Sequence, residues 1–333
     1  ELELMKQLVR QAMQEGAVGM SAALIYPPAS YAQTDELIAL AKVVAEFDGL
    51  YISHIRSEGA AFFEALDELL TISRQAGVRA EIYHLKAAGR PNWHKMDEAI
   101  RRLESARAAG LPISADMYPY PVSGTGLDAC LPPWAHDGGE QALLARLRDS
   151  EMRARIKAAM NTPSTDWENM WLDTGSPERI ILGGLNAPHL KPLIGSTLAQ
   201  TAALRGTAPE DTAFDLLLEN EGGIFCMYES MSEDNLRKQI ALPWVTFCSD
   251  AESLAPESNF LKSNPHPRAY GSFARILGRY VRDERVISLE SAIYRLTALP
   301  AANLHIAERG RLLPGYFADI AVFDPASIQD HAT

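Results

Sequence analysis

The first 118 residues repeat one unit: an amphipathic helix, a glycine, a short apolar strand and a loop. Leu4, Met5, Leu8, Val9, Ala12 and Met13 fall three and four residues apart, and Gly16 follows as a helix stop. Ala17–Leu24 then reads as a buried strand, and Thr34 as the cap of a second helix with Asp35 and Glu36 at its positive end. Strands Leu50–His54, Arg79–Leu85 and Leu111–Tyr118 alternate with helices closed by Gly77 and Gly110. A pitch of about 30 residues is that of a βα unit with a right-handed crossover. The pattern predicts parallel strands covered by helices.

After Tyr118 the rhythm is lost. Residues 119–177 hold a Pro/Gly-rich stretch, a helix from about Glu140 to Met160, and Trp167 and Trp171, which together read as an insertion or lid. Short strands are expected at Arg179–Gly183, Gly223–Tyr228 and Trp244–Ser249, and helix from Ala269 to Leu304. From Leu312 the segment LLPGYFADIAVFDP reads as a turn and an alternating strand.

Charge and composition narrow the function classes. Lys and Arg number 31 against 43 Asp and Glu, a net charge of −12 that repels a phosphate backbone, so nucleic acid is not an expected partner. No apolar run reaches the roughly 18–20 residues of a membrane span, so no membrane partner is expected. Cys130, Cys226 and Cys248 are odd in number and form no CxxC pair, which argues against a zinc ribbon or disulfide framework and fits a reducing, cytoplasmic setting. The oligomeric state is not legible.

Three polar residues share one address. His54 ends LYISH, His84 ends the strand of RAEIYHL, and Asp250 ends WVTFCSD, each where an apolar strand meets a polar loop. Parallel strands in a barrel open their C-terminal ends on one face, where imidazoles and a carboxylate can meet a divalent metal such as zinc. A histidine at a strand end also serves as an ordinary hydrogen-bonded structural group, and the residues alone leave both readings open. Lys86, two positions past His84, falls on the same side of an extended segment. Alone it reads as a solvated loop lysine. Tyr118 and Tyr120 read equally well as rim aromatics, and His94, His136, His189, His266, His305 and His331 as surface or packing residues.

The strings GAVGMSAALIYPPASYAQTDELIALAKVV, YISHIRSEG, YHLKAAGRPNWHKMDEAI, ADMYPYPVSGTG, LPPWA, FCSDAES, HPRAYGSFARILGRYVR and LTALPAANLHIAERGRLLPGYFADIAVFDP span essentially the whole chain. In them the sequence resembles the N-acyl-D-amino-acid deacylases, or D-aminoacylases, of the amidohydrolase superfamily. The resemblance implies a distorted (β/α)8 TIM-like barrel with a small β-sandwich, zinc as one or two divalent ions in the complete protein, and a small-molecule N-acyl-D-amino acid as substrate. It carries zinc ligation to His54 and His84, proton transfer to Asp250, and contact with the substrate carboxylate or scissile carbonyl to Lys86 and Tyr118. Ser123 is a further polar contact, although the related pattern has a hydroxyl where Gly124 stands. Arg56, Arg268 and Tyr270 rank behind these.

Two features of the pattern are missing. No HxH pair occurs, and all three cysteines lie after the His84 strand, where an early-barrel cysteine ligand is expected upstream. The first strand therefore aligns with about the fourth of the barrel. The fold expectation is α/β: residues 1–310 as strands 4–8 of a partial barrel with the 119–177 insertion, and 311–333 as the start of the β-sandwich. On this reading the chain is an internal fragment, inactive alone. A cyclic amidase of the hydantoinase or dihydroorotase kind is the alternative chemistry, and a noncatalytic binding or assembly subunit is the alternative of another class.

Overall fold

The computed structural model describes residues 1–255, 257 and 264–332. Four βα repeats open the chain. Their strands are β1 (Gly19–Ala23), β2 (Leu50–His54), β3 (Arg79–Ile82) and β4 (Ile113–Met117); their helices are α1 (Leu2–Gln14), α2 (Thr34–Ala45), α3 (Phe62–Ala76) and α4 (Met96–Ala108). The strands pair in parallel and in sequence order, with Gly19 opposite Leu50, Leu50 opposite Arg79 and Ala80 opposite Ile113. At Gly19 a β-carbon would overlap the Leu50 carbonyl, so only glycine permits this approach at the start of the sheet.

Helix periodicity explains what covers the sheet. In α3, Phe62, Ala65, Leu66, Leu69 and Ile72 form one buried stripe, and Gly77 closes the helix at φ +66° with its N–H on the Ser73 carbonyl. Helix α2 begins where expected, but Gln33 occupies the capping position and makes no side-chain cap. The Thr34 hydroxyl instead donates to Glu68 at 2.7 Å, because a carboxylate lies within its reach on the neighbouring helix.

The second half divides between two cores. An antiparallel sheet, ordered β5 (Ser123–Gly126), β7 (Phe225–Tyr228), β6 (Ile180–Gly184), packs with α5 (Glu140–Arg148), α6 (Ser150–Met160), α7 (Met170–Thr174), α8 (Leu198–Arg205) and α9 (Pro209–Glu219). Its interior, including Leu127, Leu147, Ile156, Leu182, Phe214 and Tyr228, is a hydrophobic cluster separate from that of the parallel sheet. The unit thus runs well past the 119–177 expected for the insertion. The single helix expected over 140–160 is two, because Asp149 adopts extended backbone and caps α6 through the Met152 N–H at 2.8 Å.

The chain then returns to the first core. Helix α10 (Glu233–Ala241) leads into β8 (Val245–Phe247), which lies parallel to β4 as the fifth strand of that sheet. Fully buried Arg295, on α12 (Leu289–Leu296), lies over the Phe247 ring and donates to the Val245 and Ile240 carbonyls. Before it come α11 (Arg268–Arg275) and a wider π-helical stretch, Ile276–Asp283; after it comes α13 (Ala298–Asn303). Ser21, Glu81, Asp116 and Thr246 on the sheet strands line a cavity of about 390 Å³. Among the described residues of 311–332 no strand forms, and Ile320 and Val322 stay exposed, since no neighbouring strand supplies a ladder for the alternating segment.

Candidate active site

The sheet delivers its polar residues to one place. His54 is the last residue of β2, and His84 and Lys86 follow β3. Tyr118 follows β4, Asp250 follows β8, and Ser123 opens β5. All six line one cavity of about 270 Å³, joined by Tyr26, Glu58, Glu168 and Arg268. His84 and Asp250 both carry positive φ, +36° and +45°, which is costly for side chains with a β-carbon and turns each away from its strand path. The His84 turn is pinned by its N–H on Asp116 Oδ1 at 2.6 Å.

The two histidines face each other. His54 Nδ1 and His84 Nε2 are 3.0 Å apart, and His84 Nδ1 is 3.0 Å from Glu58 Oε1. Burial, with Lys86 as a second cause at His84, pushes both imidazoles down to about 3, so each is neutral and has a lone pair to offer. His54 Nε2 is buried without a hydrogen-bond partner among the described residues and lies 3.7 Å from Glu58 Oε2. Donor atoms of His54, Glu58 and His84 all lie within 4.8 Å of one another.

These residues fit a divalent metal. Two nitrogens on a tetrahedral zinc stand about 3.3 Å apart, given Zn–N bonds of about 2.0–2.1 Å. The facing pair needs little movement to match. His84 Nδ1 accepts from the Lys86 ammonium at 2.6 Å, and the same ammonium donates to Glu58 Oε1, so Lys86 joins the histidine to the carboxylate. His54 and His84 offer neutral nitrogens and Glu58 a carboxylate oxygen to such an ion.

Glu58 was not singled out from sequence, yet its signal stands in HIRSEG, four residues past His54. Ser57 Oγ accepts the Gly59 and Ala61 N–H groups at 3.2 Å, so the loop turns back at this point. Lys86 is only 5% exposed and donates to Glu58 Oε1 at 2.7 Å, which overturns its reading as a solvated lysine. Burial opposes its charge, but Glu58, Tyr118 and Asp250 together overcome burial and hold the ammonium above its ordinary range. The pair keeps a charge at the cavity wall.

Around this centre stand groups suited to an anionic substrate. Arg268 donates to Asp250 Oδ2 at 2.5 Å and lies 4.5 Å from the Tyr118 ring centre, with Lys86 Nζ 5.8 Å from that centre. Arg268 Nε and the Tyr118 hydroxyl are buried without hydrogen-bond partners among the described residues. Ser123 is bonded to the Ser230 hydroxyl at 2.8 Å, and a side chain at Gly124 would run into the Phe225 ring and crowd His266. Arg56 does not reach the site. It is tied to Glu68 and to the Ser30 and Ala32 carbonyls. Tyr270 is 47% exposed and absent from the cavity wall. His266 packs against Tyr118 and Tyr120 with Nε2 on the Val122 carbonyl, a packing role as expected.

The family model for the amidohydrolase family matches residues 2–333. The chain belongs to the amidohydrolase family. Among curated amidohydrolase relatives, an N-acyl-D-glutamate deacylase of Alcaligenes xylosoxydans xylosoxydans is 32% identical over 333 residues, covering 100% of this chain and 57% of the relative. A D-aminoacylase of the same organism is 31% identical, covering 100% and 57%. A solved N-acyl-D-glutamate deacylase from Bordetella bronchiseptica, complexed with zinc and a phosphonate mimic of the tetrahedral intermediate, matches at TM-score 0.78 and 31% identity, covering 100% of this chain and 58% of that one. A D-aminoacylase structure matches at TM-score 0.76 and 29% identity, also covering 100% and 58%. The chain therefore spans a little under three-fifths of these relatives. No helix of the described residues is long and apolar enough to cross a membrane.

Proposed function

We propose that the protein of which these residues are part hydrolyses the amide bond of N-acyl-D-amino acids, giving a carboxylate and a free D-amino acid. The observation that carries the reading is the meeting of two neutral imidazoles, Asp250 and two buried cations on one cavity, in a chain similar to deacylases, one of which is solved with zinc. His54 and His84 would hold the metal, with Glu58 beside them. A divalent cation there supplies Lewis acidity toward a carbonyl and toward water.

The chain's own residues supply the rest. Asp250, 30% exposed in its side chain and steered by Arg268, takes a proton from the attacking water and passes it to the leaving nitrogen. Arg268, with its unpartnered Nε, and Lys86 hold the substrate carboxylate. The unpartnered Tyr118 hydroxyl donates to the scissile carbonyl, and Ser123 lines the same wall.

The proposal extends to architecture. We read the five parallel strands as strands 4–8 of a (β/α)8 barrel, supported by a sheet whose polar residues line a cavity and by strand ends that share one site. The remaining strands, an HxH pair, a cysteine ligand and the β-sandwich begun at 311–333 would belong to the longer chain, and three free cysteines suit a cytoplasmic setting. The test compares release of amino acid from N-acetyl-D- and N-acetyl-L-amino acids, with chelator and with zinc restored. The longer chain is expected to act on the D series only, in a zinc-dependent way, and the 333 residues alone to be inactive. Equal turnover of both enantiomers, or turnover unaffected by chelation, would refute the proposal.

A further inference from the structure

A second, larger cavity of about 530 Å³ adjoins the first, and the two share Ile25, Tyr26, Thr125 and Glu168 as common wall. Its charge is one-sided. Asp128, Asp137, Glu140 and Glu168 line it; among the described residues neither Lys nor Arg does, and His136 is the one basic group, 3.9 Å from Asp128. Glu168 is the decisive member. It is 6% exposed, one oxygen accepts the Glu58 N–H at 2.5 Å, and the other, Oε1, is buried with no partner among the described residues. A buried carboxyl oxygen with an unused lone pair is costly unless a donor arrives. Tyr26, Tyr31 and Trp167 stand on the same wall, and aromatic faces beside carboxylates attract cations.

We propose that this cavity receives the side chain of the D-amino acid and selects a cationic one, as in N-acyl-D-lysine or N-acyl-D-arginine. The inference rests on the deacylase reading and adds the substrate class. The cations Lys86 and Arg268 flank Tyr118, which the larger cavity does not touch, so they claim the α-carboxylate in the smaller cavity. The side chain that leaves the α-carbon passes Glu168 into the acidic cavity, where an ammonium or guanidinium meets Oε1. A carboxylate side chain would meet the carboxylates of Asp128, Asp137 and Glu140, with no compensating Lys or Arg among the described residues.

The test is equilibrium binding of N-acetyl-D-lysine, N-acetyl-D-norleucine and N-acetyl-D-glutamate to the metal-free full chain, where turnover does not intrude. The expected order is lysine, norleucine, glutamate. Glu168→Gln should reduce the lysine preference over norleucine about tenfold, the effect of one charge-assisted hydrogen bond. Asp137 is exposed on the rim, so Asp137→Lys tests the same point without disturbing buried structure, and should improve glutamate binding relative to lysine. Binding of glutamate as tight as lysine overturns the cavity assignment and leaves the deacylase reading standing. A charge preference that follows a cationic acyl group in place of the side chain also overturns it. Failure of all three ligands to bind removes the deacylase reading and this inference together.

Discussion

Replacing Lys86 by Met strands the Glu58 carboxylate. The two groups are 6% and 4% exposed and 2.7 Å apart. At an effective dielectric of about 20 that separation corresponds to roughly 6 kcal/mol of attraction, most of it offset by taking both charges out of water. Removing one member of a buried ion pair leaves the other charge without compensation and costs about 3–5 kcal/mol. Metal-free Lys86→Met is therefore expected to lose about 3–5 kcal/mol in urea denaturation at pH 7. Glu58→Gln with Lys86→Met should recover most of the loss, because no charge is then left buried alone. A loss below about 1 kcal/mol for Lys86→Met, or additive single and double variants, would refute the reasoning.

Further tests follow from the same geometry. Glu58→Gln should weaken zinc binding about 10- to 100-fold by equilibrium dialysis, the usual effect of losing a carboxylate beside the ligands, whereas His54→Ala should remove more. Asp250→Asn should abolish turnover by the longer chain while leaving most zinc binding intact, if its task is proton transfer; retained turnover would end that assignment. Burial, then Glu58, raises the Glu168 carboxyl from 4.5 to about 8. Its folded form thus holds the proton more tightly than the unfolded one, so stability from this group is full below about pH 4.5 and is lost as pH rises toward 8. Glu168→Gln should flatten that decline in metal-free denaturation measured from pH 5 to pH 8. Arg295→Met should cost about 3 kcal/mol by denaturation, because the Val245 and Ile240 carbonyls lose buried donors.

Local periodicity made the first four βα repeats legible, since each helix stripe and each glycine stop is written within about 30 residues. The strand-end rule placed His54, His84 and Asp250, and the two-residue offset placed Lys86 beside His84. What stayed hidden depends on distance along the chain. That β8 lies beside β4 is decided by packing across more than a hundred intervening residues, and β5, β6 and β7 form a sheet of their own that no short window reveals. Glu168 reaches the site from the middle of the second unit, and nothing in its neighbours marks it as buried. Arg268 ranked low from sequence because a lone arginine after a proline carries no pattern. The alternating segment after Leu312 shows the converse: a pattern for a strand forms no strand without a neighbour to pair with.

Elements rooted in both hydrophobic clusters contribute walls to the site. The histidines, Lys86 and Asp250 hang from strand ends rooted in one cluster, while Thr125, Asp128 and Glu168 belong to the unit built around the other. Repacking the second cluster can reshape the larger cavity while leaving intact the strand register that sets the 3.0 Å gap between His54 and His84. Reaction chemistry and choice of guest can therefore drift apart in evolution, the first slow and the second fast. A hybrid carrying residues 119–231 of a relative should inherit the relative's side-chain preference while keeping this chain's metal affinity.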